Sequence, residues 1–294
     1  MLNSYKDVFR NEEQSLLCEY IAVFINNAHK VRKQEDERIL FYRGQSNKNF
    51  DLTPGIFRNG LLPKEHIIIQ ELLLEAPGEF NIFSNVFEYL IKMQHYNSPT
   101  RLLDITLNPL VALYFACNEN PDEDGEIIVF YDYMMRPNDF FVRGLISLSE
   151  YHGSNRQQMA RFLKEKGFKN PELDKLAGIS HIFMKAPLNN ERIRRQHGAF
   201  IITGITVGEE GNLFQKERFD LKPLLVRRFD DFGDSDTKPI ERSIIIPKES
   251  KDKILSELNV LGINQAFLFP ELEYQAAYIK GKYEEGYTYD VHRS

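Results

Sequence analysis

The residues best suited to chemistry lie between Gln94 and Thr106, where a polar and turn-forming segment interrupts an otherwise apolar part of the chain. The segment contains a histidine, an arginine and an aspartate, and it leads directly into an apolar helix predicted to begin near Pro109. Polar groups held against a core helix are costly to bury unless they form hydrogen bonds or bind a ligand. This segment is therefore the first candidate for a functional site.

Several residues of this segment have alternative roles. His95 could donate a proton, orient a ligand or, as a cation, stabilise a helix end. Arg101 and Asp104 could pair with each other, or Arg101 could bind a phosphate while Asp104 orients a hydroxyl group. Thr106 and Asn108 stand where a helix begins, which favours helix capping, although a helix start also offers free N–H groups to a phosphate.

A second group of polar residues ends the apolar run 39–44, which is predicted to be a buried strand. An unpaired buried guanidinium is costly, so Arg43 must meet a carboxylate or an anionic ligand. The structural alternative is a salt bridge to Asp104 or a neighbour. Gly44, which has no side chain, would let a ligand approach the main chain closely.

A third polar cluster, at 190–200, leads into another predicted strand and contains three arginines. These arginines could bind an anionic ligand or nucleic acid, or they could form a solvated surface. We interpret Arg192 and Arg195 as surface residues. Glu191 and Gln196 are the better site candidates, because they are polar groups that directly precede a buried strand.

Composition restricts the class of protein. The chain has 294 residues and a net charge of −6, so nothing indicates general electrostatic attraction to nucleic acid. It carries no phosphate-binding loop, dinucleotide glycine fingerprint, zinc-ligand spacing or serine-hydrolase elbow, and no metal is predicted. Cys18 and Cys117 lie in apolar helical patterns and are predicted to be small core residues. Without a signal peptide or a membrane-spanning run, the sequence predicts a cytoplasmic protein with no membrane partner.

The elements that must position these residues follow from hydrophobic periodicity. Helices are predicted at 11–33, 63–74, 79–93, 108–118, 156–166, 249–261 and 270–282. Strands are predicted at 39–44, 126–131, 179–185, 199–205, 222–226 and 242–246. Because the strands are short and do not alternate regularly with helices, we expect a single mixed domain of the α+β class. Residues 1–36 form an N-terminal helical segment, 37–275 the main domain with a helical insertion at about 137–178, and 276–294 a C-terminal tail.

The motifs in combination resemble the FRG domain family, which is named for a Phe-Arg-Gly type of motif. The first segment reads Phe-Tyr-Arg-Gly-Gln at 41–45, so that Tyr42 stands inside the motif. The resemblance continues through 94–116, the cluster around Arg192, and the segments 245–247 and 268–270. It covers roughly residues 20–275 and makes the main domain, 37–275, an FRG domain.

A more distant resemblance is to arginine-type ADP-ribosyltransferases, which carry an aromatic-Arg-Gly strand and a Ser-Thr-Ser strand followed by an apolar helix. Tyr42, Arg43 and Gly44 match the first motif, and Asp104 and Thr106 stand at the outer positions of the second. The resemblance implies NAD as the substrate. It also implies that Arg43 clamps a phosphate or ribose of NAD, while Asp104 and Thr106 orient Arg43 and the nicotinamide ribose.

Those enzymes also use a late glutamate, for which this chain offers Glu191 and Gln196. A glutamine at that position favours a second reading, a non-catalytic module that binds a nucleotide or nucleic acid. A third reading is a metal-free hydrolase or nuclease with His95 and Asp104 as acid and base. The resemblance suits a toxin or anti-phage effector that modifies an acceptor protein or nucleic acid.

The predicted site has two parts. The predicted catalytic residues are Arg43, Asp104, Thr106, Glu191 and Gln196. The predicted ligand-binding residues are Tyr42, Gly44, Gln45, Gln94, His95, Tyr96 and Arg101, with Tyr42 or Tyr96 as an aromatic wall.

Overall fold

The computed structural model describes residues 15–32, 37–80, 85–153, 155–169, 181–187, 190–205 and 243–284, together with Leu176 and Ile179. These residues form an α+β fold in which helices pack on one six-stranded antiparallel sheet. The predicted fold class is therefore confirmed. No helix in the described parts of the chain is long and apolar enough to cross a membrane.

The sheet has the strand order β4-β5-β2-β1-β3-β6, and each neighbouring pair is antiparallel. The strands are β1 (Ile39–Gln45), β2 (Leu102–Thr106), β3 (Gly125–Asp132), β4 (His181–Lys185), β5 (Gly198–Thr203) and β6 (Ser243–Ile246). The helices are α1 (Leu16–Arg32), α2 (Glu65–Glu75), α3 (Pro77–Phe80), α4 (Val86–His95), α5 (Pro109–Cys117), α6 (Phe140–Ser147), α7 (Arg156–Glu165), α8 (Glu191–Arg195), α9 (Lys251–Val260), α10 (Gln265–Leu268) and α11 (Leu272–Glu284). Short 3-10 helices lie at Gly55–Phe57, Leu62–Lys64, Leu148–Glu150 and Lys248–Ser250.

Asparagine caps define the start of several helices. In each case the side-chain oxygen accepts a hydrogen bond from a main-chain N–H of the first turn, which otherwise has no partner inside the helix. The caps of α4, α5, α7, α8 and α10 are Asn85, Asn108, Asn155, Asn190 and Asn264. The capping role predicted for Asn108 is confirmed, and Thr106 supports it by accepting from the Asn108 N–H at 3.0 Å.

The buried side chains form three clusters. The first joins α2, α3, α4, α6 and α7 to β2, β4 and β5, and the second joins α1, α5, α9 and α10 to β1, β3 and β6. The third consists of side chains from β1 to β5 and contains Phe41, Leu103 and Phe130. The boundary between the two helical clusters thus falls between β1 and β2, in the middle of the sheet.

The β1–β2 junction is also where strand pairing is weakest. All seven residues of β1 pair with β3, from Ile39 opposite Asp132 to Gln45 opposite Glu126. Between β1 and β2, a single pair, Tyr42 opposite Thr106, is in register. The two halves of the molecule therefore separate along this junction and leave space for a cleft.

Most predicted elements are observed with small shifts at their ends. The predicted helical content of 137–178 is seen in α6 and α7, both of which pack into the first cluster, while its status as an insertion stays a prediction. The predicted helix at 79–93 is observed as α3 and α4, with 81–84 outside the described residues. The predicted strand at 222–226 lies outside them as well. Strand β2 was not predicted from periodicity, because Asp104 interrupts its apolar pattern.

The prediction that Cys18 is a core residue is wrong. Cys117 is buried as expected, whereas Cys18 is exposed. On α1 the buried side is defined by Leu17 and Phe24, which are seven residues apart and lie on one face of the helix. Cys18 follows Leu17 by one residue and is rotated by about 100° from it, so its thiol faces solvent.

Candidate functional site

A cleft of about 230 Å³ lies at the junction of β1 and β2. Its lining comes from β1, β2, β5, the last turn of α4, α5 and α8. The enclosed space is below the range of about 300–1,000 Å³ that is usual for drug-sized ligands. The enclosed space is thus sized for a small ligand or for one part of a larger ligand.

The structure brings most of the predicted site residues to this cleft. Those that line it are Tyr42, Arg43, Gly44, Gln94, His95, Asp104, Thr106 and Gln196. Four predicted residues are not part of the lining, namely Gln45, Tyr96, Arg101 and Glu191. Arg192 and Phe115 line the cleft and were not among the predicted site residues.

Arg43 bridges the gap between the two strands. Its Nη1 donates to the main-chain carbonyl of Asp104 at 2.6 Å, and its Nε donates to the side-chain oxygen of Gln45 at 3.5 Å. If the antiparallel register continued past Tyr42 and Thr106, Gly44 would stand opposite Asp104. The main-chain pairing stops before this point, and the Arg43 guanidinium bonds to the main chain of β2 there. The predicted structural alternative was a salt bridge to Asp104, but the contact is to its carbonyl oxygen.

The charge of Arg43 is held in a partly desolvated position. Burial lowers the pKa of the Arg43 guanidinium, the negative charge of Asp104 opposes this shift, and the nearby Arg58 adds to it. Arginine keeps its charge at any physiological pH. A permanent cation that is poorly solvated and already oriented attracts an anionic ligand group more strongly than a solvated one does.

The Asp104 carboxylate is held by a chain of side-chain hydrogen bonds. Thr100 Oγ1 donates to Gln94 Oε1 at 2.6 Å, and Gln94 Nε2 donates to Asp104 Oδ2 at 2.6 Å. Because a carboxylate only accepts hydrogen bonds, the amide nitrogen of Gln94 must face Asp104, and the amide oxygen then accepts from the Thr100 hydroxyl. Asp104 Oδ1 accepts no hydrogen bond from the residues that the structure describes, and it remains the carboxylate oxygen available to a ligand.

His95 lies beside this carboxylate at the end of α4. Its Nδ1 is 3.1 Å from Nδ2 of Asn190, the cap residue of α8. Burial lowers the pKa of His95, and the positive charge of Arg192 lowers it further, while Asp104 and Glu271 oppose the shift. The imidazole is therefore neutral near pH 7.

The structure explains the glycine at position 44 by the packing of a helix, which is not the reason that the sequence predicts. A Cβ at Gly44 would lie 1.8 Å from the carbonyl oxygen of Ala112, so α5 packs directly on the main chain of β1. Gly44 thus has a packing role, and because it also lines the cleft, close approach of a ligand to its main chain stays a prediction. This contact brings Phe115, one turn further along α5, to the cleft as an apolar wall opposite the polar residues of β2.

The third wall is α8. Thr106 Oγ1 donates to the Gln196 carbonyl at 2.7 Å, and Gln196 Nε2 donates to the Leu268 carbonyl at 3.1 Å. These bonds tie α8 to β2 on one side and to α10 on the other. The carry-over from the ADP-ribosyltransferases placed Thr106 against Arg43, whereas the hydroxyl bonds to α8.

The prediction that Arg192 is a solvated surface residue is wrong, because it lines the cleft. Its guanidinium carbon lies 4.7 Å from the centre of the Phe269 ring, and its Nη1 is 3.7 Å from Glu271 Oε1. Both partners follow it by more than seventy residues, so its local sequence gives no sign of its position. Arg195 is held by Glu191 at 2.9 Å and by the Phe267 carbonyl at 3.2 Å.

Arg101 does not reach the cleft, so the prediction that it binds a phosphate is wrong. Its side chain is fully buried and forms a two-pronged ion pair with Glu65, with Nε 2.9 Å from Oε1. It also donates to the carbonyls of Leu145 at 3.3 Å and Leu148 at 3.0 Å. Through its ion pair with Glu65 and its bonds to two carbonyls, Arg101 joins α2, α6 and the 3-10 helix 148–150 to the start of β2.

The remaining three predicted residues have other partners. Gln45 is buried and donates to the Phe50 carbonyl at 3.1 Å. Tyr96 is 67% exposed, which leaves Tyr42 and not Tyr96 as an aromatic wall. Glu191 pairs with Arg194 and Arg195, and hydrogen bonds from these two arginines lower its pKa. Its carboxylate is thus directed to neighbours on its own helix.

The comparison with protein families gives one match. Residues 38–125 match the family model of the FRG domain, which identifies an FRG domain in this part of the chain. The matched segment runs from β1 to the first residue of β3 and contains Arg43, Gln94, His95 and Asp104. Searches of curated proteins and of solved structures gave no match. The wall formed by α8 lies outside the matched residues.

Proposed function

We propose that this FRG domain protein is an ADP-ribosyltransferase-like enzyme that uses NAD at the β1–β2 cleft. The observation that supports this most directly is that Arg43, an Asp104 carboxylate held by a hydrogen bond and a neutral His95 line one cleft of about 230 Å³. A fixed cation suits a phosphate or ribose oxygen of NAD. The half-buried ring of Phe115 offers apolar surface to a base, and Tyr42, which is 4% exposed, borders the cleft.

The chemistry assigned to Asp104 follows from the charges of the reaction. The bond between ribose C1′ and the nicotinamide nitrogen breaks, and its electron pair goes to the nitrogen, which becomes neutral. Positive charge develops on the ribose, and a carboxylate placed beforehand stabilises it. The acceptor nucleophile then bonds to C1′ and loses its proton, for which Asp104 Oδ1 is the base. The cleft lining among the described residues contains no other carboxylate.

This assignment differs from the one implied by the resemblance to ADP-ribosyltransferases, in which a late glutamate supplies the carboxylate. Glu191 bonds to two arginines and is not part of the lining, while Gln196 lines the cleft with its amide nitrogen held by Leu268. In our proposal Asp104 therefore takes the acidic role, and Gln196 contributes a polar wall.

The test is release of nicotinamide from NAD, with a cell extract as the source of acceptors. Arg43→Ala removes the cation assigned to a phosphate or ribose oxygen of NAD, and Asp104→Asn removes the carboxylate that stabilises the developing positive charge. Each change is expected to lower the rate at least about 100-fold. Glu191→Gln is the matched control, because it neutralises a carboxylate outside the cleft, and it is expected to retain the wild-type rate. Equal rates for wild type and Asp104→Asn would refute the proposal.

A second candidate function is a module that binds a nucleotide without turnover. It is favoured by the hydrogen bond that occupies one oxygen of Asp104 and by the absence of Glu191 from the lining. NAD binding in calorimetry without nicotinamide release would support it. Three arginines suggested binding of nucleic acid in such a module. Two of them, Arg194 and Arg195, bond to Glu191, which weakens the case for nucleic acid as the ligand.

The role of a toxin or anti-phage effector belongs to the same proposal. It predicts that expression of the wild type arrests bacterial growth, whereas expression of Asp104→Asn does not. Growth arrest that is equal in the two cases would separate any toxicity from the cleft.

A further inference from the structure

Asn190 uses both ends of its side-chain amide, and this fixes which end faces His95. Its Oδ1 accepts from the main-chain N–H groups of Arg192 at 2.8 Å and Ile193 at 3.3 Å. An amide oxygen accepts and an amide nitrogen donates, so the cap leaves the NH₂ group directed at His95. The nitrogen it meets, Nδ1 of His95, lies 3.1 Å away and must be an acceptor.

A neutral imidazole with an acceptor at Nδ1 carries its proton on Nε2. We infer that Asn190 is a positioning residue that fixes His95 as the Nε2–H tautomer, so that the cleft offers an uncharged hydrogen-bond donor beside the Asp104 carboxylate. This assignment of the His95 tautomer rests on the hydrogen bonds that Asn190 forms as the cap of α8. The identity of the ligand rests on the proposed function.

This pairing defines the chemical class of the recognised group. Asp104 Oδ1 accepts from hydroxyl groups, and the Nε2–H of His95 donates to a ligand oxygen without adding charge. A nucleoside-like group that combines sugar hydroxyls with an uncharged carbonyl, such as the carboxamide of nicotinamide, satisfies both. A charged histidine would instead favour a phosphate, which the cleft can bind through Arg43 and Arg192.

The charged groups around His95 come from four parts of the chain. Arg192 on α8 and Lys92 on α4 disfavour the imidazolium, while Asp104 on β2 and Glu271 before α11 favour it. Because the lowered pKa keeps the imidazole neutral above about pH 6.5, the Nε2–H donor is present throughout the range from pH 6.5 to pH 8.5, and NAD affinity of the wild type is expected to change little within it.

Asn190→Asp changes this in a defined direction. A carboxylate at 190 still caps α8, but it accepts from His95 and favours a proton on Nδ1, and it raises the pKa of the imidazole. Below that raised pKa both nitrogens are protonated and the donor at Nε2 persists. Above it the neutral ring holds its proton on Nδ1, and Nε2 becomes an acceptor. NAD binding by the variant should therefore weaken as pH rises.

The experiment has two arms. Long-range ¹H–¹⁵N spectra of the wild type, with the His95 signal assigned by its loss in His95→Gln, are expected to show Nδ1 unprotonated at neutral pH. Calorimetry with NAD is then compared at pH 6.5 and pH 8.5, and Asn190→Asp is expected to lose about tenfold in affinity, as for one hydrogen bond. Asn155→Asp is the matched control, since Asn155 caps α7 by the same contact, at 2.9 Å from the Gln158 N–H.

The outcomes separate the inference from the proposed function. A protonated Nδ1 in the wild type, or equal NAD affinity of Asn190→Asp at both pH values, would overturn the inference. If Asn155→Asp showed the same pH dependence, the effect would belong to cap charge in general and the inference would again fail. If NAD does not bind to the wild type, the proposed function and the ligand assignment fail, while the spectrum still decides the tautomer.

Discussion

The Arg101–Glu65 pair provides the sharpest test of how the structure assigns charged residues. The sequence suggested a phosphate contact for Arg101, and the structure buries it in an ion pair with side-chain exposures of 0% and 4%. The informative change is Glu65→Gln, which keeps the shape of the side chain and removes its charge. A structural pair predicts a loss of stability with little direct effect on ligand binding.

The size of the effect follows from the contacts that remain. Removing one partner of a buried ion pair typically destabilises a protein by about 3–5 kcal/mol, because the other charge stays buried without compensation. Arg101 keeps the carbonyls of Leu145 and Leu148, and a glutamine oxygen still accepts one N–H. We therefore expect the lower end, about 3 kcal/mol, which corresponds to a fall of about 6 °C in Tm for a chain of this size.

The assay is thermal unfolding followed by circular dichroism, with Glu150→Gln as the matched control. Glu150 pairs with Lys166 at 2.6 Å, but the two side chains are 35% and 41% exposed, so its neutralisation should change stability by less than about 0.5 kcal/mol. The double variant Glu65→Leu with Arg101→Met leaves no buried charge and should recover most of the loss.

Two results would refute this reasoning. If Glu65→Gln changed Tm no more than Glu150→Gln does, the pair would not stabilise the fold as the structure indicates. If Arg101→Met in the double variant restored Tm but abolished NAD binding while Asp104 stayed in place, Arg101 would have a ligand role after all.

The remaining predictions concern packing and reactivity. Gly44→Ala should destabilise the protein by about 3 kcal/mol in denaturant unfolding, because its Cβ would overlap the Ala112 carbonyl at 1.8 Å and force β1 from α5. Lys251→Met should cost a similar amount, about 3 kcal/mol, since the buried ammonium donates to three main-chain carbonyls at 2.7, 2.8 and 3.0 Å. A thiol reagent at pH 8 should label Cys18 and spare Cys117, which is buried and whose pKa burial raises to about 12. Labelling of both thiols in the folded protein, or near-wild-type stability of either variant, would contradict the packing described.

The elements of this fold that the sequence determined are those that depend on near neighbours. The apolar run at 39–44 and the strand around 126–131 are continuous enough to be recognised as buried strands, and both are observed. The helix from Pro109 could be placed because asparagine and proline at its start satisfy local geometry alone. Strand β2 escaped the same analysis, since exposed Asp104 breaks its pattern.

The residues of the candidate site also divide into those that the sequence could predict and those that it could not. Arg43, Asp104, Gln94 and His95 could be selected from sequence, because charged and amide groups inside apolar surroundings need partners. The same argument placed Arg101 in the site and Arg192 on the surface, whereas the structure buries Arg101 away from the cleft and places Arg192 in its lining. One meets a glutamate thirty-six residues away, and the other an aromatic ring seventy-seven residues away, at Phe269.

Only the tertiary structure decides where the cleft lies. The sequence identifies an arginine, a carboxylate and a histidine as candidate site residues. It does not show that the ladder between β1 and β2 is in register at one pair, Tyr42 opposite Thr106. That opening arises because two separate helical clusters pack on the two halves of one sheet, and the packing of such clusters depends on contacts between residues far apart in the chain.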